Sequence, residues 1–462
     1  MEKIKKKYIG TGAFYRRYLY LALPMILQNA ITNLVSFLDN IMVGQLGTEQ
    51  MSGVAIVNQL IFVYNLAIFG AASAASIFGA QYFGKGDHKG HMYSFRFKLY
   101  ATLLVTVIAM ILFASRGSQL ISLYLTDTTG SGATEVALKY GLQYLTVMLF
   151  GLIPFAVNQS YATNIKETGQ TMVPMIASFV AVGSNAVLDY LLIFGIGPFP
   201  ELGVSGAAAA TVTAQALVSL LFFKAVLREK VLFPHLRLWV LVPVKVWREI
   251  VRIGVPSAVQ NLIYAGISMI LTRLITGWGD LAVAAQRVGS QIESVSWMVG
   301  DGFSAAVNAF LGQNYGAKRY DRVRRGYFCA IAMTAAWGLC TTFLLIGMAR
   351  PLFSIFLHEE KVMAIGVNYL RIVGLSQMFM MVEQTSIGAF SGLGRTLYPS
   401  IVSVTFTSAR IPVAVLLSSV MGLSGIWWAL SISSMVKGCI LFVSFVVFLY
   451  VFLERKKDEE TV

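Results

Sequence analysis

The sequence predicts an all-α polytopic membrane protein with twelve transmembrane helices in two six-helix lobes. Three observations support this fold class: an apolar composition, long apolar runs, and landmarks of the first half that recur in the second. Hydrophobic residues make up 56% of the 462 residues, charged residues only 13%, and the mean hydropathy is +0.69. Because soluble globular chains carry about 25% charged residues, this composition indicates a membrane protein.

Twelve apolar runs are long enough to cross a hydrocarbon layer of about 30 Å. Six lie in the first half of the chain, at residues 18–43, 54–82, 97–115, 136–161, 172–194 and 204–225. Six lie in the second half, at residues 253–275, 282–311, 327–348, 362–390, 401–420 and 425–453. We expect an N-terminal lobe at 1–226, a cytoplasmic linker at 227–252 and a C-terminal lobe at 253–462.

The two halves share landmarks in the same order. Pro24 and Gln28 recur 232 residues later as Pro256 and Gln260. Three further pairs of landmarks follow the same order: Gln81 to Gly84 with Gln313 to Gly316, Gly169 with Gly394, and Gly203 to Gly206 with Gly422 to Gly425. Six spans per half give both halves the same orientation, so the repeat is parallel. Secondary transporters are commonly built this way, with the working site between the repeats.

The basic residues provide an independent test of the twelve spans. If the count is right, alternate loops lie on one side and hold most of the Lys and Arg residues. The termini and the loops on their side hold 27 of the 36 basic residues, whereas the opposite loops hold Arg116, Arg350 and Lys361. Both termini are therefore expected in the cytoplasm, and the net charge of +14 reflects topology and contact with anionic lipid rather than nucleic acid.

Enzyme motifs are absent from the sequence. The three cysteines show no CxxC spacing, and the four histidines fall in predicted loops. The chain has no HExxH, P-loop or GxSxG pattern. We therefore expect no enzymatic activity, no cofactor and no metal beyond a transported ion.

Charged residues inside apolar spans are functional candidates, because they are costly in hydrocarbon. Asp39 and Asp189 lie near the outer ends of the first and fifth spans, at matching depth. Asn185 precedes Asp189 by one helical turn and shares its face, and Thr211 follows in the sixth span. If these spans are neighbours, their oxygens form one pocket. Alternatively, each acid caps a helix end or faces solvent.

Two ions suit such a pocket. Two carboxyl groups in a low-dielectric site resist being ionised together, so the pair can hold a proton near neutral pH. Several hard oxygens can instead replace the water shell of Na⁺, as they do for other hard cations. The sequence leaves both H⁺ and Na⁺ open.

The second half lacks this set of acids. At the repeat-related positions, Asp39 becomes Leu271, Asp189 becomes Ala414 and Asn185 becomes Arg410. The second half has its own charges near mid-span, among them Glu293, Glu383 and Lys437. A structural ion pair between Glu383 and Lys437 and a substrate-facing role for these acids are both open readings.

The chain resembles the multidrug and toxin extrusion (MATE) transporters over residues 18–453. The resemblance rests on four stretches in this order: Pro24 with Asp39 to Gly44, Asn185 to Asp189 leading to Gly195, Gly312 to Ala317, and Gly392 to Thr396. It implies a cation-coupled exporter of amphipathic, often cationic compounds that works by rocking the lobes in the plasma membrane of a bacterium or archaeon. The expected partners are the small-molecule substrate and the bilayer, with a monomeric chain.

The resemblance also assigns roles to residues. Asp39, Asn185 and Asp189 match the family's ion-coupling residues, and Thr211 matches less closely because the preceding loop varies in length. Pro24 matches the proline of the first helix, which removes a backbone hydrogen bond and creates a bend point. The substrate cavity is expected to include Gln260, Tyr264, Glu293, Met380 and Glu383, with neighbouring methionines that suit varied ligands.

One difference from the family's pattern helps to assign the chain to a branch of the family. The NorM-like branch keeps a glutamate in the seventh helix near position 264, where this chain has Tyr264. This favours the DinF-like branch. Two other classes stay open: a flippase for lipid-linked precursors, which the resemblance associates with extra spans and a basic cavity, and a channel or sensory protein, which would not need the acids.

Overall fold

The computed structural model describes residues 10–124, 133–228 and 241–453. Within these ranges every regular element is helical. The first half forms six helices: α1 (Gly12–Gly44), α2 (Thr48–Lys85), α3 (His88–Ser122), α4 (Ala133–Glu167), α5 (Met172–Phe194) and α6 (Val204–Arg228). Part of the predicted linker, residues 229–240, lies outside the described residues.

The second half forms nine helices, because some spans are broken. They are α7 (Val244–Thr276), α8 (Asp280–Gly316), α9 (Tyr320–Gly347), the short α10 (Ala349–Ser354), α11 (Glu360–Gly374), α12 (Gln377–Gly392), α13 (Leu397–Ser408), α14 (Arg410–Met421) and α15 (Leu423–Phe448). A π-helical turn, Leu449–Leu453, follows α15. Residues 244–252 of the predicted linker are the first turns of α7.

Each of the twelve predicted runs falls on a helix or on two consecutive helices. Among the described residues, nine helical segments are long and apolar enough to cross a membrane, or ten when α11 and α12 count as one span bent by 49°. The segment of α13 and α14 is counted as one of the nine. Helices α1 and α8, with 33 and 37 residues, are also longer than the roughly 20 residues that a span requires.

The described residues form two compact units. One unit lies within Met1–Ile26, Ala80–Gly86 and Val251–Val462, and the other lies within Leu27–Gly79 and Asp87–Ile250. We call them the C-unit and the N-unit. The C-unit has a core around Tyr327, Phe390 and Phe445, and the N-unit has one around Tyr64, Tyr144 and Leu152. The predicted lobe boundaries at 226 and 253 remain a prediction.

The repeat is visible in backbone geometry. Gly203 and Gly422 precede α6 and α15 with φ of 53° and 62°, a left-handed conformation that favours glycine. Three residues later, a Cβ on Gly206 would overlap the carbonyl of Leu192, and one on Gly425 would overlap that of Leu417. Because Leu192 and Leu417 are themselves repeat partners, each unit builds the same tight helix contact.

Candidate functional site

Asp39 of α1 and Asp189 of α5 lie together in the N-unit. Asp189 has no solvent exposure, Asp39 is partly buried, and the two carboxyl groups are within hydrogen-bonding range of each other. Two ionised carboxylates can only accept hydrogen bonds. The contact therefore requires a proton on one of them or a cation between them.

The pair lacks a cationic partner among the described residues. Both carboxylate oxygens of Asp189 and Oδ1 of Asp39 are buried without a well-formed hydrogen bond, and the neutral amide of Asn185 is the neighbouring donor to Asp189. Burying an ionised carboxylate without a donor or counter-charge is strongly unfavourable. These oxygens are suited to hold a proton or a small cation.

Asn185 and Thr211 complete the predicted set. Asn185 is buried one turn before Asp189 on α5. Its Nδ2 donates to Thr211 Oγ1 at 3.4 Å, and Thr211 Oγ1 donates to the carbonyl of Ala207 at 3.1 Å. The structure thus brings all four predicted ion-coupling residues into one region of the N-unit.

A cavity of about 340 Å³ lies within the N-unit beside these residues. Asp39 and Thr211 line it, and its volume is in the range of small-molecule sites. The lining also includes neutral polar side chains that the sequence analysis did not single out: Asn58, Tyr64, Tyr144, Asn158 and Gln215. The signal for them was present, because each is a polar residue inside an apolar run.

Hydrogen bonds hold several of these polar groups in place. Tyr64 Oη donates to the carbonyl of Leu152 at 2.9 Å, and Tyr144 Oη donates to Asn58 Oδ1 at 3.3 Å. Asn158 Nδ2 donates to Gln215 Oε1 at 3.0 Å. The cavity therefore combines an apolar lining with fixed polar groups, a combination typical of ligand sites.

Pro24 lies inside α1, and the helix continues through it from Gly12 to Gly44. Its side chain is buried. A proline at an interior position leaves the carbonyl four residues earlier without its helical donor. This weakens α1 locally, and the bending role of Pro24 remains a prediction.

Glu383 and Glu293 of the C-unit are held by a cation or by several donors, unlike Asp39 and Asp189. Glu383 Oε1 lies 2.7 Å from Lys437 Nζ, with both side chains almost fully buried. The carboxylate of Glu293 accepts hydrogen bonds from Trp297 Nε1 at 3.0 Å, Tyr369 Oη at 2.9 Å and Gln377 Nε2 at 3.2 Å. The charges of both acids are therefore accommodated within the C-unit.

The other predicted cavity residues differ in exposure. Met380 is buried in the core of the C-unit, and Gln260 Oε1 accepts a hydrogen bond from Ser400 Oγ at 2.9 Å. Tyr264 is 39% exposed, and its ring lies 6.2 Å from that of Trp297. Tyr264 thus offers an accessible aromatic surface, whereas Met380 and Glu383 are enclosed.

Comparison with solved structures shows the same fold. The crystal structure of MATE in the bent conformation matches with a TM-score of 0.86 at 21% identity, over 96% of this chain and 97% of that chain. The outward-facing conformation of a multidrug resistance MATE family transporter of the MOP superfamily matches with a TM-score of 0.85 at 20% identity, over 96% and 97%. These likenesses confirm the predicted fold class, an all-α membrane protein with twelve transmembrane helices.

The sequence comparisons define the family. The MatE family model matches residues 24–191 and 256–416. The chain therefore belongs to the MatE family, whose members are transporters and not enzymes.

Among its relatives, the probable multidrug resistance protein NorM of Thermotoga maritima is 28% identical over 88% of this chain and 87% of its own length. The FAD transporter of Shewanella oneidensis is 24% identical over 87% and 88%. Assignment to the DinF-like branch stays a prediction.

Proposed function

We propose that this chain is a cation-coupled antiporter that exports amphipathic, often cationic compounds, with ion coupling at Asp39 and Asp189. The observation that carries the proposal is the contrast between the two units. In the C-unit Glu383 pairs with Lys437 and Glu293 accepts three hydrogen bonds, whereas Asp39 and Asp189 face each other beside a cavity with no cationic partner among the described residues. A site short of positive charge is one that an external cation can occupy.

The coupling ion is H⁺ or Na⁺. A proton shared by Asp39 and Asp189 would remove one negative charge, and Na⁺ would be held by their oxygens together with those of Asn185 and Thr211. Binding of a cationic substrate near Asp39 would compete with either ion, because both neutralise the same carboxylates. This competition is the basis for exchange of ion and substrate in an alternating-access cycle.

The names of relatives support the substrate class. One relative is named a probable multidrug resistance protein and another an FAD transporter, so both names indicate transport of small organic molecules. We also propose a monomer in the plasma membrane, and the distribution of basic residues supports cytoplasmic termini.

Transport in proteoliposomes tests the proposal. Export of a fluorescent cationic dye should respond to an imposed proton gradient or Na⁺ gradient, each applied alone, and Asp39→Asn should abolish the response. Asp280→Asn is the matched control, since Asp280 is exposed at the start of α8. Dye movement that needs no ion gradient would favour a channel. Accumulation of lipid-linked precursors on gene deletion would favour a flippase.

A further inference from the structure

Arg410, the first residue of α14, is a buried guanidinium without a counter-ion. It is 4% exposed, its Nε donates to Ser433 Oγ at 3.0 Å, and its Nη2 donates to Ser434 Oγ at 3.1 Å. No carboxylate of the described residues lies within 4.0 Å of its nitrogens. A buried charge is unfavourable unless an opposite charge compensates it.

The nearby acids are engaged elsewhere. Glu293 and Glu383 both act electrostatically on Tyr264, the residue whose ring faces Arg410. Glu383 pairs with Lys437, and Glu293 accepts its hydrogen bonds from neutral donors on other side chains. Neither acid forms an ion pair with Arg410, and the Tyr264 side chain beside it is a neutral partner, so the positive charge of the guanidinium is not neutralised by a direct contact.

The guanidinium is held in a fixed orientation. Ser433 Oγ donates to the carbonyl of Phe406 at 2.9 Å, which directs its lone pairs toward Arg410 Nε. Arginine has five N–H groups in a planar fork that fits an oxyanion with two parallel hydrogen bonds. The two serines engage one side of this fork.

Aromatic rings lie beside the guanidinium. The guanidinium carbon is 5.9 Å from the ring centroid of Tyr264, which is 39% exposed, and Trp297 lies beyond Tyr264. Rings of this kind provide a stacking surface for an aromatic ligand. The exposed ring of Tyr264 is thus adjacent to the guanidinium, as a ligand that contacts both groups requires.

Arg410 differs in charge from the residue at the repeat-related position of the N-unit. Arg410 stands where the N-unit has Asn185, one turn before Asp189, and Ala414 stands where the N-unit has Asp189. At these repeat-related positions the N-unit therefore has a carboxylate without a cationic partner, and the C-unit has a guanidinium without a carboxylate partner.

We propose that Arg410 is an anion subsite that binds the carboxylate of an aromatic amphipath whose rings lie against Tyr264 and Trp297. The inference rests on the proposed function, because it names a class of substrate for the same transporter. It extends the expected cationic compounds to aromatic ones that also carry an oxyanion.

Equilibrium binding of two matched dyes tests the subsite. Tetramethylrhodamine carries a free carboxylate, and its methyl ester lacks that charge on the same ring system. Binding is measured in nanodiscs of phosphatidylcholine, which contain no anionic lipid headgroups. We expect the ratio of acid affinity to ester affinity to be about tenfold higher in the wild type than in Arg410→Gln, the size expected for loss of a charge-assisted hydrogen bond. Equal ratios in the two proteins would overturn the inference.

A second variant keeps the test decisive if Arg410→Gln does not fold. Ser434→Asp places a carboxylate beside Nη2 as an internal counter-ion, and Ser434→Asn has a similar shape without the charge. Ser434→Asp should lose the preference for the acid and keep ester binding, while Ser434→Asn keeps both. Retention of the preference in Ser434→Asp would contradict the subsite.

The outcome is separable from the proposed function. Dye binding at equilibrium needs no ion gradient, so failure of coupled export would leave this result unaffected. If the wild type exports the ester in response to an ion gradient, but its ratio of acid affinity to ester affinity equals that of Arg410→Gln, the subsite alone is refuted.

Discussion

The four acids that the sequence analysis placed inside spans fall into two kinds, according to what surrounds each carboxylate. Glu383 is paired with Lys437, and Glu293 accepts hydrogen bonds from a hydroxyl, an indole and an amide. Asp39 and Asp189 have each other and the neutral amide of Asn185, with no cationic partner among the described residues. The first kind stabilises the fold, and the second kind is suited to exchange an ion.

The Glu383 and Lys437 pair gives a prediction for stability. Glu383→Gln leaves a buried ammonium unpaired and should lower the free energy of unfolding by about 3–5 kcal/mol, whereas adding Lys437→Met should recover most of the loss. Thermal unfolding in detergent measures both effects.

An exposed pair provides the matched control. Arg350 and Glu360 lie 2.7 Å apart with both side chains well exposed, so Glu360→Gln should cost less than about 1 kcal/mol. Equal losses from Glu383→Gln and Glu360→Gln would show that the buried pair has no structural role.

Whether a site residue could be predicted from the sequence depended on whether its side chain is charged. Acids in apolar spans are conspicuous, so Asp39, Asp189, Glu293 and Glu383 were found from the sequence. Asn58, Tyr144 and Asn158 were missed, since neutral polar side chains occur in many spans and only packing shows that they line one cavity.

At the scale of elements, the close contact between α14 and α15, which the repeat shares, gives a prediction. A Cβ on Gly425 would overlap the backbone of Leu417 and Ser418, so Gly425→Ala should force the helices apart and lower the melting temperature, at a cost of about 1–3 kcal/mol. The control is Gly266→Ala in α7, where a Cβ meets no atom within 4 Å and alanine favours the helix. A melting temperature for Gly425→Ala equal to that of Gly266→Ala would contradict the close contact.

Helix α1 carries a second prediction at this scale. Pro24→Ala restores a backbone donor in the interior of α1 and should stiffen it, which slows transport turnover and leaves ion binding and dye binding unchanged. Turnover in proteoliposomes and binding in detergent are compared on the same preparations. A variant with wild-type turnover would remove Pro24 from the mechanism.

Helix ends were less predictable than helix number. The apolar run 97–115 is the middle of α3, which extends to His88 because the side chain of Asp87 accepts a hydrogen bond from Gly90 N at 2.9 Å and caps the helix. Hydropathy reports only the apolar part of a helix. The break between α13 and α14 falls at Ala409, and Pro412 accounts for it, because a proline clashes with the carbonyl four residues earlier, here that of Ser408, the last residue of α13. The hydropathy of the run 401–420 does not report this break.

At the scale of the whole molecule, the basic residues predict the orientation. Cysteine labels at Lys89 and Asp321 should react only from the cytoplasm, and labels at Glu201 and Lys361 only from outside, because the loops that hold most Lys and Arg stay on the cytoplasmic side. All four positions are exposed.

The labelling requires a background without native thiols, with Cys329, Cys340 and Cys439 replaced by alanine. Membrane-impermeant reagent is applied to intact cells and then to inverted vesicles. Reaction of Lys89 and Glu201 from the same side would refute the twelve-span topology.

The fold class was predictable from the whole sequence because composition, span count and repeat all depend on many residues at once. The division into compact units was not, since residues 10–26 and Ala80–Gly86 group with the second half of the chain by contacts that no local pattern reports.

The most direct test of the central claim is ion release on dye binding. When the purified protein binds a cationic dye in weakly buffered solution, we predict that the wild type releases protons, or displaces Na⁺ measured with a Na⁺ tracer, and that Asp39→Asn and Asp189→Asn each bind dye without releasing either ion. Asp280→Asn should behave as the wild type. Wild-type ion release by Asp39→Asn would contradict coupling at the N-unit carboxylates. Glu293 and Glu383 would then be the next candidates for ion coupling.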